Sequence, residues 1–316
     1  MKILAKSGNE KLATVYIAEM PNNKKIEFVE SIQPPLTREE KWVLIISTLY
    51  GCPVKCRFCD AGCSYSGTLS TQDLIKQIDY LVTKHYPDRK VLTNKFKIQF
   101  SRIGDPAFNL NILEVLDIIQ DYYKVPGLIP SLSTIAPSST DQFFDDLINI
   151  KKRKYPDTFQ LQFSIHTTDE EIRDWLIPVK KWAFDQIADY GREFYNSGGK
   201  KITLNFALAE QLPVEPDVLV KYFSPQFFII KVTPLNPTCQ VKKNKMNSLL
   251  PHPRGYEKVD QLRQNGYEVI VSIGEYEENQ IGSNCGQYLT TYLNHKIPVD
   301  NAYTYDLVVQ PYNEGE

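Results

Sequence analysis

The sequence predicts an α/β fold in which a run of parallel βα units follows a small N-terminal β-hairpin. Three observations carry this expectation. Apolar, strand-length segments alternate with amphipathic helical patterns about six times along the body of the chain. Strand-like alternation over 12–18 and 26–29 flanks a turn at Pro21-Asn22-Asn23-Lys24, which reads as a hairpin. Pro34-Pro35 and the charged run Arg38-Glu39-Glu40 then mark a break. The expected organisation is a hairpin extension over 1–40, a body over 41–275 and a C-terminal segment over 276–316.

Within the body, the candidate strands are 43–47, 96–101, 129–133, 159–165, 202–207, 227–232 and 268–272. The helical patterns between them are 71–85, 110–123, 139–150, 182–196 and 215–222. Thr71-Gln72-Asp73-Leu74 and Ser139-Thr140-Asp141-Gln142 offer N-cap chemistry for two of these. Units of this kind close into a barrel or partial barrel, or open into a doubly wound sheet. In each case ligands sit at the carboxyl ends of the strands. The chain shows no internal repeat and no low-complexity region, and its tail after Tyr312 is acidic and expected to fray.

Bulk properties exclude some classes of function. A chain of 316 residues with 42% hydrophobic residues buries a real core, and a net charge of −2 supplies no global basic field for nucleic acid. The apolar stretches are strand-length, and no signal-peptide core follows Met1, so a cytoplasmic location and no membrane partner are expected. Four of the six cysteines (Cys52, Cys56, Cys59 and Cys63) crowd into one short segment, while Cys239 and Cys285 stand alone. In a reducing compartment such crowding reads as metal or cluster ligation.

The segment Gly51-Cys52-Pro53-Val54-Lys55-Cys56-Arg57-Phe58-Cys59 can wrap three thiolates around one 4Fe–4S cubane. The fourth iron then lacks a protein ligand, and S-adenosylmethionine (SAM) can chelate it through amine and carboxylate and accept an electron. Structural zinc competes with this reading, but four histidines in the whole chain leave no visible second ligand pair. A ferredoxin-type cluster with Cys63 as fourth ligand also competes, although the surrounding βα repeats are not those of a ferredoxin.

The C-x3-C-x2-C spacing after the first body strand resembles the radical SAM superfamily, which implies a partial (β/α)6 barrel. Further motifs follow the later strands: Arg102-Ile103-Gly104-Asp105-Pro106, Ser131-Leu132-Ser133-Thr134, Ser164-Ile165-His166, Thr233-Pro234-Leu235-Asn236-Pro237 and Gly282-Ser283-Asn284-Cys285-Gly286-Gln287. With Asp169–Arg173 and Ile177–Lys181, this ordered set is similar to the RlmN and Cfr family of ribosomal RNA adenine methyltransferases over about 29–287. The resemblance implies cluster ligation by Cys52, Cys56 and Cys59 and SAM contacts from Gly104, Asp105, Ser133, Ser164, His166 and Asn236. It implies a 5′-deoxyadenosyl radical, an electron donor such as flavodoxin or ferredoxin, and an RNA substrate. It further implies methyl transfer to an unreactive aromatic carbon through Cys285, the first acceptor of the methyl group.

The sequence departs from that family in two respects. Seven residues before the first cluster cysteine the family carries a second, resolving cysteine, and here that position is Ile45. The family also has a helical N-terminal RNA-binding domain, and the residues before the hairpin offer no such pattern. An upstream catalytic glutamate falls on Glu30, with Glu27 nearly as good a match. Two other readings therefore stay open: hydrogen abstraction from a small molecule or peptide with Cys285 incidental, and a non-enzymatic cluster or zinc protein. The basic groups Lys151-Lys152-Arg153-Lys154 and Lys242, Lys243 and Lys245 read as a helix terminus and a solvated loop.

Overall fold

Eleven strands form one continuous sheet in the computed structural model, which describes residues 1–196, 199–284, 288–293 and 303–309. In chain order its first elements are β1 (Lys2–Asn9), β2 (Ala13–Glu19), β3 (Lys25–Ile32), β4 (Lys41–Ile46), α1 (Thr71–His85), β5 (Lys95–Phe100), α2 (Asn111–Tyr122), β6 (Leu128–Thr134) and α3 (Asp141–Lys154). There follow β7 (Gln160–Ser164), α4 (Glu170–Leu176), α5 (Phe184–Phe194), β8 (Ile202–Leu208), α6 (Pro216–Tyr222), β9 (Phe228–Pro234) and α7 (Cys239–Lys243). The chain continues through α8 (Pro253–Gln264), β10 (Val269–Val271), α9 (Tyr276–Ile281), α10 (Tyr288–Leu293) and β11 (Val308–Val309).

Strands β4 to β10 pair in parallel in sequence order, and β4, β3, β2, β1 and β11 pair antiparallel in turn. The result is a mixed, mostly parallel α/β sheet that does not close on itself. The expected hairpin is present as β2 and β3, but it is no separate extension. It gains β1 on one side and joins β4 on the other, with Val29 opposite Ile45 and Ser31 opposite Val43. Lys2, Lys6, Ser7 and Asn9 hid β1 from a search for apolar alternation.

The two faces of the parallel strands differ. Trp42, Leu44, Phe96, Ile98, Leu132 and Phe163 point to one face and are buried with α1, α2, α3 and α5 in the main core. Large side chains of this kind each contribute about 1.5–3 kcal/mol on burial. The residues between them (Lys97, Gln99, Ser131, Gln162, Asn205 and Lys231) occupy the opposite face and are polar. Strand β2 is buried on both sides: Tyr16 stacks on Phe28 at 5.3 Å beneath α1, and Val15 and Ile17 pack with Ile281 and Tyr288 of the C-terminal segment.

Local signals explain where the helices start. The α1 cap is Ser70, one residue before the expected Thr71; its hydroxyl accepts the Asp73 N–H at 3.2 Å. Thr140 precedes α3 without capping it, because its hydroxyl donates to the Pro137 carbonyl at 2.8 Å. Helices α4 and α8 were not expected. In α4 Arg173 and Leu176 are buried, and in α8 Gly255, Val259 and Leu262, too few to give a clear apolar period. The basic end of α3 is answered by surface ion pairs, Arg153 with Asp117 at 2.6 Å and Lys152 with Glu193 at 3.2 Å. No helix among the described residues is long and apolar enough to cross a membrane.

One buried ion pair ties the N-terminal strands to the C-terminal segment. Glu27 on β3 and Arg102, just beyond β5, approach to 2.9 Å with side chains 0% and 2% exposed. The contact is a close charge pair rather than an aligned hydrogen bond. Arg102 also donates to the carbonyls of Ser283 at 2.6 Å and Gly282 at 2.8 Å, while Glu27 accepts the Leu289 N–H at 2.6 Å. Removing one partner strands a buried charge. Arg102→Met should therefore lower stability by about 3–5 kcal/mol, read by equilibrium urea unfolding, and adding Glu27→Met should restore much of the loss.

Candidate active site

The three clustered cysteines lie on the long connection between β4 and α1, beyond the carboxyl end of β4. The connection is zipped at its neck, where Tyr50 N donates to Gly67 O at 2.9 Å and Ser66 N to Tyr50 O at 2.8 Å. Gly51 has φ +79°, and a Cβ there would lie 1.2 Å from the Ser64 carbonyl oxygen, so only glycine fits.

Partners from distant segments fix the rest of the loop. Arg57 N donates to Leu176 O at the end of α4, at 2.9 Å, and its guanidinium donates to Trp175 O at 2.8 Å. The Thr238 hydroxyl donates to Phe58 O at 2.8 Å. The buried Asp60 carboxylate accepts the N–H groups of Cys239 and Gln240, both at 2.9 Å, at the start of α7. Asn244 completes this side by donating to Arg57 O at 2.7 Å. Around these bonds Cys52, Val54, Ile103, Ile135, Leu176 and Leu235 form a small apolar cluster that also receives Cys56, Phe58 and Cys59.

The electrostatics of this pocket follow from its dryness. Burial, then the neighbouring Cys59, pushes the Cys52 thiol up to about 12. Burial, then Cys59 and Cys52, pushes Cys56 well above its ordinary value. The neighbouring thiols thus oppose ionisation of Cys52 and Cys56, and a multinuclear cation would reverse that balance. The backbone of Val54 and of Asp105 opposes that rise at Cys52. Among the described residues no three Cys, His, Asp or Glu side chains converge on one ion position. Three sulfur donors from one loop fit the three protein-held irons of a 4Fe–4S cubane. The Cys63 side chain, and Cys285 with its neighbours Gly286 and Gln287, lie outside the described residues.

The other expected residues fall at or near strand ends on this side. Gly104 has φ +88°, and an added Cβ would meet the Leu49 side chain at 2.5 Å, so packing alone requires glycine there. Asp105 was expected to accept from a ligand ammonium. In the structure its carboxylate accepts from Ala107 N at 3.0 Å, Thr134 Oγ1 at 2.8 Å and Ile135 N at 2.7 Å, and burial lifts it to about 6. It staples the loop after β5 to the end of β6.

Ser133 accepts from Gln162 at 3.0 Å, whereas half-buried Ser164 and Asn236 have no side-chain hydrogen bond among the described residues. His166, at φ +65°, meets the edge of Phe58 with ring centroids 4.7 Å apart. Its Nδ1 accepts the Ala207 N–H at 3.1 Å, which assigns the proton to Nε2. The Asp169–Arg173 and Ile177–Lys181 segments build the wall beneath Arg57: Arg173 donates to Trp182 O at 2.8 Å, and Lys181 to Ile177 O at 3.1 Å. Lys242, Lys243 and Lys245 are exposed at the rim.

Glu30 does not reach this side. It faces the helix-covered surface, where Tyr16 donates to it at 2.6 Å, Lys84 at 2.9 Å, and His85 pairs with it at 2.7 Å. Those bonds outweigh burial and hold its carboxyl at about 2. Strand alternation puts Glu27 on the opposite face with Val29 and Ile45, against the residues that flank Cys285. Burial raises the Glu27 carboxyl, opposed by Arg102. The acidic candidate moves from Glu30 to Glu27. Ile45 packs with the apolar cluster formed by Val15, Val29, Ile281 and Tyr288. Asp60, Thr238 and Asn205 were not singled out from the sequence, since no local pattern marks them.

No family model matches the chain. It is 26% identical over 243 residues to the probable dual-specificity RNA methyltransferase RlmN of Chlorobium phaeobacteroides, covering 70% of this chain and 60% of that protein. It is 24% identical over 292 residues to the probable RlmN of Petrotoga mobilis, covering 88% and 75%. With the dual-specificity RNA methyltransferase RlmN of Buchnera aphidicola it shares 26% over 199 residues, covering 60% and 51%. The chain thus spans less than two thirds of the Chlorobium and Buchnera relatives. A crystal structure of a radical SAM methyltransferase from Sphaerobacter thermophilus has the same fold, with a TM-score of 0.66 at 17% identity over 86% of this chain and 77% of that one.

Two predictions follow from this geometry. Asp60→Ala frees the start of α7 from the cysteine loop, so anaerobically reconstituted protein should retain less iron and sulfide than wild type. His166 is held at about 3, against an ordinary 6.5, by burial and then by Arg173. Between those values the unfolded chain binds a proton that the fold refuses, so stability falls as pH drops through that window. NMR of ring-labelled histidine should show His166 neutral, with no titration between about pH 5 and 8.

Proposed function

We propose that this chain is a radical SAM enzyme that methylates an unreactive aromatic carbon, with an adenine-like base of RNA as substrate. The observation that carries the reading is the gathering of Cys52, Cys56 and Cys59 against one small apolar cluster at the carboxyl side of a parallel sheet. The curated relatives are RNA methyltransferases, which supports the same chemistry. Cys52, Cys56 and Cys59 would hold a 4Fe–4S cluster, and SAM bound there would supply hydrogen-abstracting power once a flavodoxin- or ferredoxin-like donor delivers an electron.

The chain's own residues would do the rest. Neutral His166 would offer its Nε2–H, and Ser164 and Asn236, without a side-chain hydrogen bond among the described residues, would offer polar groups to the cosubstrate. Ser133, Gly104 and Asp105 complete the rim, with Asp105 acting chiefly as a positioning residue beneath Cys52. Phe58, Ile135 and Leu176 pack in the apolar cluster that receives the thiols. Cys285 would accept the methyl group, a role assigned by sequence resemblance. Glu27 takes over the acidic role first read for Glu30. A cytoplasmic, reducing setting suits the free thiols.

One observation favours a second reading. Ile45 sits in an apolar cluster where the resembled family has its resolving cysteine, so an adduct formed through Cys285 would need another group to release it. The second reading keeps the radical chemistry, acts on a small molecule or peptide, and leaves Cys285 incidental.

Anaerobic reconstitution with iron and sulfide, then SAM and a strong reductant, should yield 5′-deoxyadenosine in wild type and none in Cys56→Ala. Mass spectrometry of active protein should find one added methyl on Cys285. A bare thiol there, with full turnover in Cys285→Ala, would select the second reading; no deoxyadenosine from wild type would reject both.

A further inference from the structure

The cysteine loop has an inner side and an outer side. Phe58 turns inward, where its ring meets the edge of His166 with centroids 4.7 Å apart. Its chain neighbour Arg57 is exposed and turns the other way. The Arg57 guanidinium lies 5.2 Å from the ring centroid of Trp175, a residue 40% exposed at the end of α4. The same guanidinium donates to the Trp175 carbonyl at 2.8 Å, so the cation is held against the indole from two directions.

A third segment joins them on the outer side. Asn244, just past α7, donates to the Arg57 carbonyl at 2.7 Å. Lys243 and Lys245 flank Asn244 and are exposed, and Lys55 is exposed on the cysteine loop itself. Among the described residues none of these three ammonium groups has a hydrogen bond or an ion pair. Asp174, the carboxylate beside Trp175 in the chain, is taken up by Lys181. Three segments far apart in sequence thus make one basic surface with an exposed aromatic ring, on a chain whose net charge is −2.

Charge of this sign attracts an acidic partner, and the place of the surface selects which one. The inner side of the loop, by His166, is where the cosubstrate would bind. An electron therefore enters from another side, and because transfer rates fall steeply with distance, its carrier has to dock close to the cysteines. Arg57 stands between Cys56 and Cys59 in the chain, and no other basic group of the surface is nearer to them in sequence. Electron-transfer encounters bury little area, so a surface of few residues suffices, and Trp and Arg are the side chains that dominate such contacts. The flat indole suits the exposed ring edge of a flavin.

We propose that Lys55, Arg57, Trp175, Lys243 and Lys245 form the docking surface for an acidic, flavodoxin-like electron carrier. Each encounter passes one electron from the carrier's reduced flavin to the cluster; the carrier is oxidised by one electron, the cluster is reduced by one, and no bond is made or broken. The proposal deepens the function proposed above and rests on it for the presence of the cluster.

The test uses the anaerobically reconstituted full-length protein, with flavodoxin as the probe in titration calorimetry. Wild type should bind it with an affinity that falls as salt rises. The triple variant Lys55→Glu, Lys243→Glu, Lys245→Glu should weaken that binding about tenfold or more. Trp175→Ala should weaken it about fivefold, and Trp175→Phe should restore most of the loss. Thermal melting checks that each variant folds; where Trp175→Ala does not, the exposed-lysine variant decides alone. Formation of 5′-deoxyadenosine by the triple variant should fall when limiting flavodoxin supplies the electron and should match wild type when dithionite does. Unchanged flavodoxin affinity in the triple variant, or an equal loss of product with either reductant, overturns the proposal. Loss of binding to an adenine-containing RNA oligonucleotide, with flavodoxin affinity kept, assigns the surface to RNA and also overturns it. No product from wild type even with dithionite rejects the radical reading, and the binding measurement still judges the docking surface by itself.

Discussion

Three thiols on an irregular loop make a cluster site only if the loop is pinned from several directions at once. Here the pins come from segments far apart in the chain: Asp60 to the backbone of α7, Thr238 to Phe58, and Arg57 to Leu176. Each ordered loop residue gives up about 1–2 kcal/mol of backbone entropy. The apolar cluster around Cys52, Val54 and Leu176 offsets that loss. The parallel strands bring every one of these segments to the same side of the sheet, so the architecture and the site are one construction.

Much of this was legible in the sequence where the signal is local. Cysteine spacing within one loop, the period of α1 and the alternation of β5 are properties of neighbouring residues. Pairings across long separations left no such trace. Asp60 meets Cys239, and Glu27 meets Arg102, for reasons that only the register of the sheet supplies. The choice between Glu27 and Glu30 shows the limit well. Three residues apart on one strand, they must face opposite ways, but the sequence does not say which face the helices cover. Strand β1 was missed because its charged residues lie at a sheet margin, and α8 because three buried positions are too few to define an amphipathic stripe.

The two faces of the sheet divide the work. One face is closed by helices over an aromatic and aliphatic core and supplies stability. The other stays polar where it is crossed by β5 to β9, and among the described residues the C-terminal segment packs on it over the antiparallel strands. The Glu27–Arg102 pair joins the two regions, since it fixes both flanks of the Cys285 segment to antiparallel β3 and to the end of parallel β5.

Direct ligation of SAM by a cluster held on Cys52, Cys56 and Cys59 is the claim on which the functional reading turns. Pulsed electron–nuclear double resonance on the reduced, anaerobic protein, with SAM isotopically labelled in its amino and carboxylate groups, examines that bond itself. Ligation predicts hyperfine coupling from both labelled groups to the cluster. A cluster signal indifferent to labelled SAM, or tetrahedral zinc in place of iron, would contradict it.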